Sequence, residues 1–327
     1  MLKKFITVLE CSRVFSLPMT IMSWFVIFVY AVINAGNIKY GLLALPGICF
    51  AHLATNVLDD YFDYKYLIKQ VDFDKNEYLR NAQKTKCRYI LSGLMSDKDV
   101  LFLGLIYLVL AFVIGVVLYI KCGEGVLYYA LAGGVIAMLY PLMSRIRCSE
   151  LFVALAYGPL LFGGVYYVMT GIHSINAFIL SLPTMFMTVI LAYIHTVMDF
   201  EYDRNEGHLT IANSFDSQLD SLVVLKVLTI LAYVSLIPLC IFDILDWQVF
   251  LVFLTVPLAR DLYESMQEYS VSSESVPPKK WYHFPMENLK YLQKINAQSF
   301  MIRMYQSRNL MIYFSLILSL AIVLSVM

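Results

Sequence analysis

Long apolar stretches alternate with short polar breaks along nearly the whole chain. The stretches fall near residues 14–35, 40–58, 100–120, 126–143, 151–170, 175–198, 222–241, 247–259 and 310–326. A helix needs about 20 mostly apolar residues to cross a bilayer, and lipid offers no partner to an exposed backbone amide, so such stretches predict membrane-spanning α-helices. Nine spans are expected, in one all-α membrane domain covering residues 1–327. The eighth has the shortest apolar core and carries Pro257 near its end, which predicts a tilted or partly re-entrant helix. Three polar segments interrupt the pattern: about 59–99, 199–220 and 261–308. The last contains SVSSESVPPKK and reads as a flexible or amphipathic connector.

Composition sharpens this. Of 327 residues, 60% are hydrophobic and 15% charged, against about 25% charged in an average soluble domain, so lipid is the expected solvent. The 24 basic and 24 acidic residues cancel, and nothing in their arrangement points to nucleic acid. Their placement is lopsided: with the N-terminus inside, only Lys39 and Lys121 fall in outer segments, and Lys226 lies within the seventh span. The positive-inside rule therefore predicts a cytoplasmic N-terminus in a cell membrane. The apolar run behind Lys3 and Lys4 is too long for a cleavable leader and reads as the first span. Cys11, Cys49, Cys87, Cys122, Cys148 and Cys240 are scattered singly and read as small hydrophobes.

The candidate chemistry lies at two acidic clusters, each following an even-numbered span and so expected on one cytoplasmic face. NVLDDYFDY supplies Asn56, Asp59, Asp60 and Asp63, with Asp72 and Asp74 beyond. On a helix, Asn56 pairs with Asp60 and Asp59 with Asp63, one turn apart. DFEYDRNEG supplies Asp199, Glu201, Asp203, Arg204 and Glu206, with Asp199 and Asp203 again four apart. Carboxylates crowded at the end of a span repel one another and are costly beside lipid, so a cation is expected among them. Oxygen donors of this kind suit Mg²⁺, which takes one or two carboxylates and completes its shell with phosphate oxygens and water. Asp59, Asp60, Asp63, Asp199 and Asp203 are the expected metal and catalytic residues, and a diphosphate is the expected ligand.

These motifs resemble the UbiA superfamily of intramembrane prenyltransferases, and within it the 1,4-dihydroxy-2-naphthoate polyprenyltransferase branch. DFEYDRNEGHLTIA at 199–212 is similar to DxxxDRxxGxxTLA; SELFVALAYGPLLFGGVYYVMTG at 149–171 resembles the fourth and fifth helices, and RVFSLP at 13–18 resembles RPxxLP. The first motif departs from the pattern, since Asp59 stands where Asn is usual. His195 and Met198 stand where the family often has Asn and Arg.

The resemblance implies a nine-helix bundle with a lipid-accessible central cavity and Mg²⁺-dependent transfer of a polyprenyl group from an allylic diphosphate to an aromatic acceptor. That acceptor would be 1,4-dihydroxy-2-naphthoate, on the way to a menaquinone. Asn56, Lys86, Arg88, Tyr140, Arg147, His195 and Arg204 are the expected substrate-binding residues; Lys84 and His52 are further candidates. Three other readings stay open: a terpene cyclase of the same superfamily, a prenyltransferase for another aromatic or lipid acceptor, and, from a different class, a cation-coupled transporter. The oligomeric state is not specified by the sequence.

Overall fold

The computed structural model describes residues 2–69, 87–143, 147–205, 209–294 and 296–326, and every regular element among them is helical. The chain starts with α1 (Leu2–Cys11), turns through a 3-10 piece at Val14–Ser16, and continues as α2 (Leu17–Ile33), α3 (Ile38–Leu67), α4 (Arg88–Leu91), α5 (Asp97–Cys122) and α6 (Gly125–Met143). The next apolar segment is composite: α7 (Ser149–Leu155), a wide π turn at Ala156–Leu160, and α8 (Leu161–Thr170). Then follow α9 (Ile175–Met198), α10 (Phe200–Asn205), α11 (Gln218–Val234), α12 (Ile237–Ile241), a 3-10 stretch at Trp247–Thr255, α13 (Val256–Val271), α14 (Leu289–Lys294) and α15 (Gln298–Leu324).

Seven helical segments among the described residues are long and apolar enough to cross a membrane. The expected fourth span is a shorter apolar helix, Gly125–Tyr140, and the expected eighth begins as 3-10 helix. Burial separates the centre of the bundle from its rim. In α9 67% of the apolar window is buried, against α2, α8, α11 and α15; in α5 only 11% is, and Phe102, Phe112 and Ile120 point outward. An apolar side chain gains nothing by leaving a lipid solvent, so exposed residues of this type mark the lipid-facing rim.

Three boundaries differ from the sequence-based expectation. Helix α3 runs on through Leu67, so Asp59, Asp60 and Asp63 stand on a helix rather than opening a loop. Pro257 sits in the first turn of α13, where its missing N–H has no intrahelical partner to lose; the 3-10 stretch precedes it and the α-helix continues to Val271. Around Gly158 and Pro159 the fifth segment widens into the π turn, because proline cannot donate back to the preceding turn and Gly158 takes up a non-helical φ/ψ of −92°, −108°.

The last span also starts earlier than its hydropathy suggests, at Gln298, and takes in Arg303 and Arg308. Arg303 is fully buried. It donates to the Ser265 and Ser275 carbonyls at 2.9 Å, to the Ser299 carbonyl and hydroxyl and to the Ser275 hydroxyl at 2.8 Å, and stacks over Tyr269. The expected connector at 261–308 is thus held down as a strap between α13 and α15. Asp261 fastens it further by accepting from Lys280 Nζ, Tyr282 Oη and His283 Nε2 at 2.7–2.8 Å.

Arg303→Ala would strand several buried carbonyls at once, so about 3 kcal/mol of stability is expected to go. Arg303→Lys should recover little of it, since an ammonium cannot reproduce the planar fork. Thermal unfolding in detergent checks this; an unchanged midpoint for the alanine variant would show that the strap does not depend on Arg303.

Candidate functional site

Helix α3 carries two adjacent rows of polar residues, and they have different partners. His52, Asn56 and Asp60 follow one another at every fourth position and face the corner between α1 and α2. His52 Nε2 lies 2.8 Å from Ser16 Oγ; Asn56 Nδ2 donates to the Ser16 hydroxyl at 3.2 Å and the Ser12 carbonyl at 3.4 Å; Asp60 pairs with Arg13. Asp59 and Asp63 stand on the neighbouring row, and Asp59 is 3% exposed.

Asp60, 1% exposed, is enclosed by donors. One carboxylate oxygen meets the Arg13 guanidinium, and the other accepts from Tyr89 Oη at 2.5 Å; the Cys87 thiol donates to the Asp60 backbone carbonyl at 3.0 Å. Burial alone would loosen the guanidinium's hold on its proton, but Asp60 and then Asp59 outweigh it and raise Arg13 above its ordinary value, so it stays charged. Burial, with the Asp60 charge behind it, raises Tyr89 and keeps it a donor, and burial pushes the neighbouring Cys11 thiol up to about 11. Arg13 holds its position with a left-handed backbone, φ 51° and ψ 45°, which costs a non-glycine residue about 1 kcal/mol.

The second cluster caps α9. The Asp199 N–H closes the last turn onto the His195 carbonyl, its carboxylate lies 3.3 Å from His195 Nδ1, and it is 9% exposed. The Asp203 N–H donates to the Asp199 carbonyl at 2.8 Å, which continues the same face into α10. Tyr269 of α13 donates to the Met198 carbonyl, and Phe300 of α15 packs edge-on against His195. Arg204 donates to the Asp216 carbonyl and lies over the Phe200 ring.

A chain of contacts places both clusters at one end of the bundle. Lys65 at the end of α3 pairs with Asp97 at the start of α5, and Tyr140 near the end of α6 is within electrostatic reach of Arg13. Arg147, just before α7, donates its N–H to the Leu209 carbonyl beyond the second cluster; Glu150 in the first turn of α7 accepts from Thr196 in the last turn of α9. Arg13, Cys87 and Arg147, all at this end, share a left-handed φ of 51–65°.

Several expected site residues take a definite place. Asn56 clamps the α1–α2 corner, and Asp60 has both oxygens on protein donors. Tyr140 is within electrostatic reach of Arg13, His195 lies beside Asp199, and the exposed Arg147 makes no ion pair among the described residues. Lys84, Lys86, Asp72, Asp74 and Glu206 lie outside the described residues, as does the side chain of Arg88. Arg13 and Tyr89 were not expected in the site. In sequence Arg13 opens the RVFSLP stretch without any sign of its partner, and the one signal for Tyr89 is its place in the basic run QKTKCRY.

The donor set is all oxygen, which suits a hard divalent cation. Among the described residues no three acids, histidines or cysteines close into a metal site by themselves.

Compared with known proteins, residues 17–284 match the UbiA prenyltransferase family. No curated protein sequence matches significantly. Among solved structures, one concerning digeranylgeranylglyceryl phosphate synthase in membranes is 16% identical with a TM-score of 0.54, covering 98% of each chain. The apo structure of a UbiA homolog from Aeropyrum pernix K1 is 14% identical with a TM-score of 0.57, covering 94% of this chain and 98% of that one. At these identities the likeness is one of fold.

Removing Arg13 leaves Asp60 buried without its charge partner, expected to cost about 3–5 kcal/mol. The double variant Arg13→Gln, Asp60→Asn should recover more than half of that loss. A double-mutant cycle on the unfolding midpoint reads the coupling; additive losses would show that the two side chains do not depend on each other.

Proposed function

The chain belongs to the UbiA prenyltransferase family, and from that premise we propose that this multi-pass membrane enzyme moves a polyprenyl group from an allylic diphosphate onto a hydroxylated aromatic ring. The observation that carries the reading is that the two acidic segments, on α3 and at the α9–α10 junction, both stand at the end of the bundle where Lys65 pairs with Asp97, Arg147 donates to Leu209 and Thr196 to Glu150. We take 1,4-dihydroxy-2-naphthoate as the acceptor on the motif likeness at 149–171 and 199–212, and a menaquinone precursor as the product. The excess of basic residues in the segments at this end puts it on the cytoplasmic face.

Asp59 and Asp63 on one side and Asp199 and Asp203 on the other would hold Mg²⁺. When bound, the metal neutralises charge that builds on the departing diphosphate oxygen. Asp60 is better suited to bracing the wall, because its oxygens already have donors. Arg147, exposed at this end, and Arg204 beside the second pair would add fixed positive charge where the leaving group develops negative charge.

The isoprenoid tail is too apolar for the mouth and runs down between the helices. As the C–O bond to diphosphate breaks, C1 becomes cationic, and the electron-rich ring carbon bonds to it. With 1,4-dihydroxy-2-naphthoate that carbon sheds its carboxyl group as CO₂, which leaves the bonding pair to restore the ring. The His195 imidazole, 3.3 Å from the Asp199 carboxylate, would fix the orientation of that side chain.

Purified protein given geranylgeranyl diphosphate, Mg²⁺ and 1,4-dihydroxy-2-naphthoate is expected to release diphosphate and a prenylated naphthol. Chelation with EDTA should abolish turnover and added Mg²⁺ restore it. Asp63→Asn and Asp199→Asn should each lower kcat/KM on the order of a hundredfold. Metal-independent turnover would sink the mechanism, and a cyclic hydrocarbon formed without any acceptor would assign the cyclase reaction instead.

A further inference from the structure

The strap between α13 and α15 carries a surface that the diphosphate chemistry does not use, and hydrogen bonds from α15 fix its depth. Arg308 and Asn309 both donate to the Pro285 carbonyl at 2.7 Å, and Asn309 also donates to the His283 carbonyl at 2.6 Å. These two residues immediately precede the apolar stretch of the last span. Tyr313, one turn further along and inside that stretch, donates to the Phe284 carbonyl. Residues 283–285 therefore lie level with the point where α15 enters the hydrocarbon. This is the end of the bundle where Tyr269 and Phe300 meet the second acidic cluster.

At this depth the strap exposes large aromatic side chains beside lysines. Trp281 is 85% exposed, Tyr291 59% and Phe284 43%. Lys279, Lys290 and Lys294 are exposed and make no ion pair among the described residues, whereas Glu287 is taken up by Arg308 and Asp261 by Lys280. A tryptophan this open packs against little of the protein. Amphipathic rings settle at the headgroup layer of a bilayer, and lysines send their ammonium groups outward from it.

Beyond Trp281 the surface is concave. Met286, Asn288, Leu289, Lys290, Tyr291 and Lys294 line an open groove of about 520 Å³. Asn288 turns the chain into α14 with a left-handed φ of 52°, and Leu292 packs inward while Lys290, Tyr291 and Lys294 stay outside. The groove has two kinds of wall. Its ammonium groups and amide suit a phosphodiester, and no acid lines it to repel one; its apolar side chains suit the glycerol and the first methylenes of an acyl chain. A free phosphate would use the lysines and leave the apolar walls wet.

We propose that the strap is a lipid-docking surface: Trp281 and Phe284 anchor it in the headgroup layer, and the groove along residues 286–294 binds an anionic phospholipid headgroup through Lys290 and Lys294, with Lys279 adding to the positive field. The partner is a lipid of the phosphatidylglycerol class. Held there, it braces α13 and α15, whose Tyr269 and Phe300 back the second acidic cluster. Such docking requires only that the chain crosses the bilayer, and it is independent of prenyl transfer.

The test is fluorescence quenching in phosphatidylcholine nanodiscs without substrate. A fixed fraction of the lipid is replaced by phosphatidylcholine or phosphatidylglycerol brominated near the top of the acyl chain. Of the three tryptophans Trp24 is buried and Trp247 is exposed elsewhere, so the Trp281 signal is the parent emission less that of Trp281→Phe. Brominated phosphatidylglycerol is expected to quench that signal as if enriched about fivefold over phosphatidylcholine, the effect of one lysine at an anionic surface. The preference should shrink in high salt and vanish in the triple variant Lys279→Gln, Lys290→Gln, Lys294→Gln. Equal quenching by the two lipids, or a preference that survives the triple variant, would overturn headgroup recognition by these lysines. Absence of quenching by either lipid would show that the strap faces water and overturn docking altogether. Loss of the preference on adding glycerol phosphate would assign the groove to a soluble phosphate instead. Should the triple variant not fold, salt decides: a preference in the parent that high salt leaves intact would overturn the proposal.

Discussion

The arrangement depends on a buried carboxylate that must be neutralised where lipid begins. Asp60 is closed off from solvent, and an ion of its size loses several kcal/mol of hydration in such a place unless a partner charge and hydrogen bonds replace the water. Arg13 supplies the charge and Tyr89 the remaining donor. These come from three separate stretches of chain: the corner between α1 and α2, the last turns of α3, and the start of α4. The pair therefore does more than cancel itself. It fixes where α2 enters the bundle relative to α3 and brings the stretch after the first acidic cluster back over it. The left-handed backbone at Arg13 is a local cost that this geometry offsets.

Helical periodicity then divides the first acidic cluster. Positions 52, 56 and 60 share one face and all turn toward Ser12, Arg13 and Ser16, so that row builds the wall. Positions 59 and 63 lie about 100° around the axis, on a neighbouring face. A substitution at Asp60 therefore disturbs that wall, whereas Asp63 stands on a different face of the helix.

Much of this was legible in the sequence. Hydropathy located the apolar segments, and the four-residue spacing of the acids, with the two motifs, pointed to the family and to one shared end. What was not legible has physical causes. Hydropathy averages over a window, so it ended α3 at the first acid, although that helix continues because its acids find partners. It began α15 too late because Arg303 is charged, although five hydrogen bonds and a ring face satisfy it. The RVFSLP stretch contains Arg13 but does not reveal Asp60 as its partner, because a sequence shows the sign of a residue and not what it meets. Separating Asp60 from Asp59 requires knowing which row of α3 meets the α1–α2 corner, and that is a tertiary fact.

The order of groups along α3 also imposes a direction on whatever enters. Carboxylates stand near the open end, hydroxyls and an imidazole lie two turns further in, and apolar side chains continue beyond. An amphiphile with a charged head and a long hydrocarbon tail has one favourable orientation in such a gradient, since reversing it would place phosphate among apolar groups at a cost of many kcal/mol.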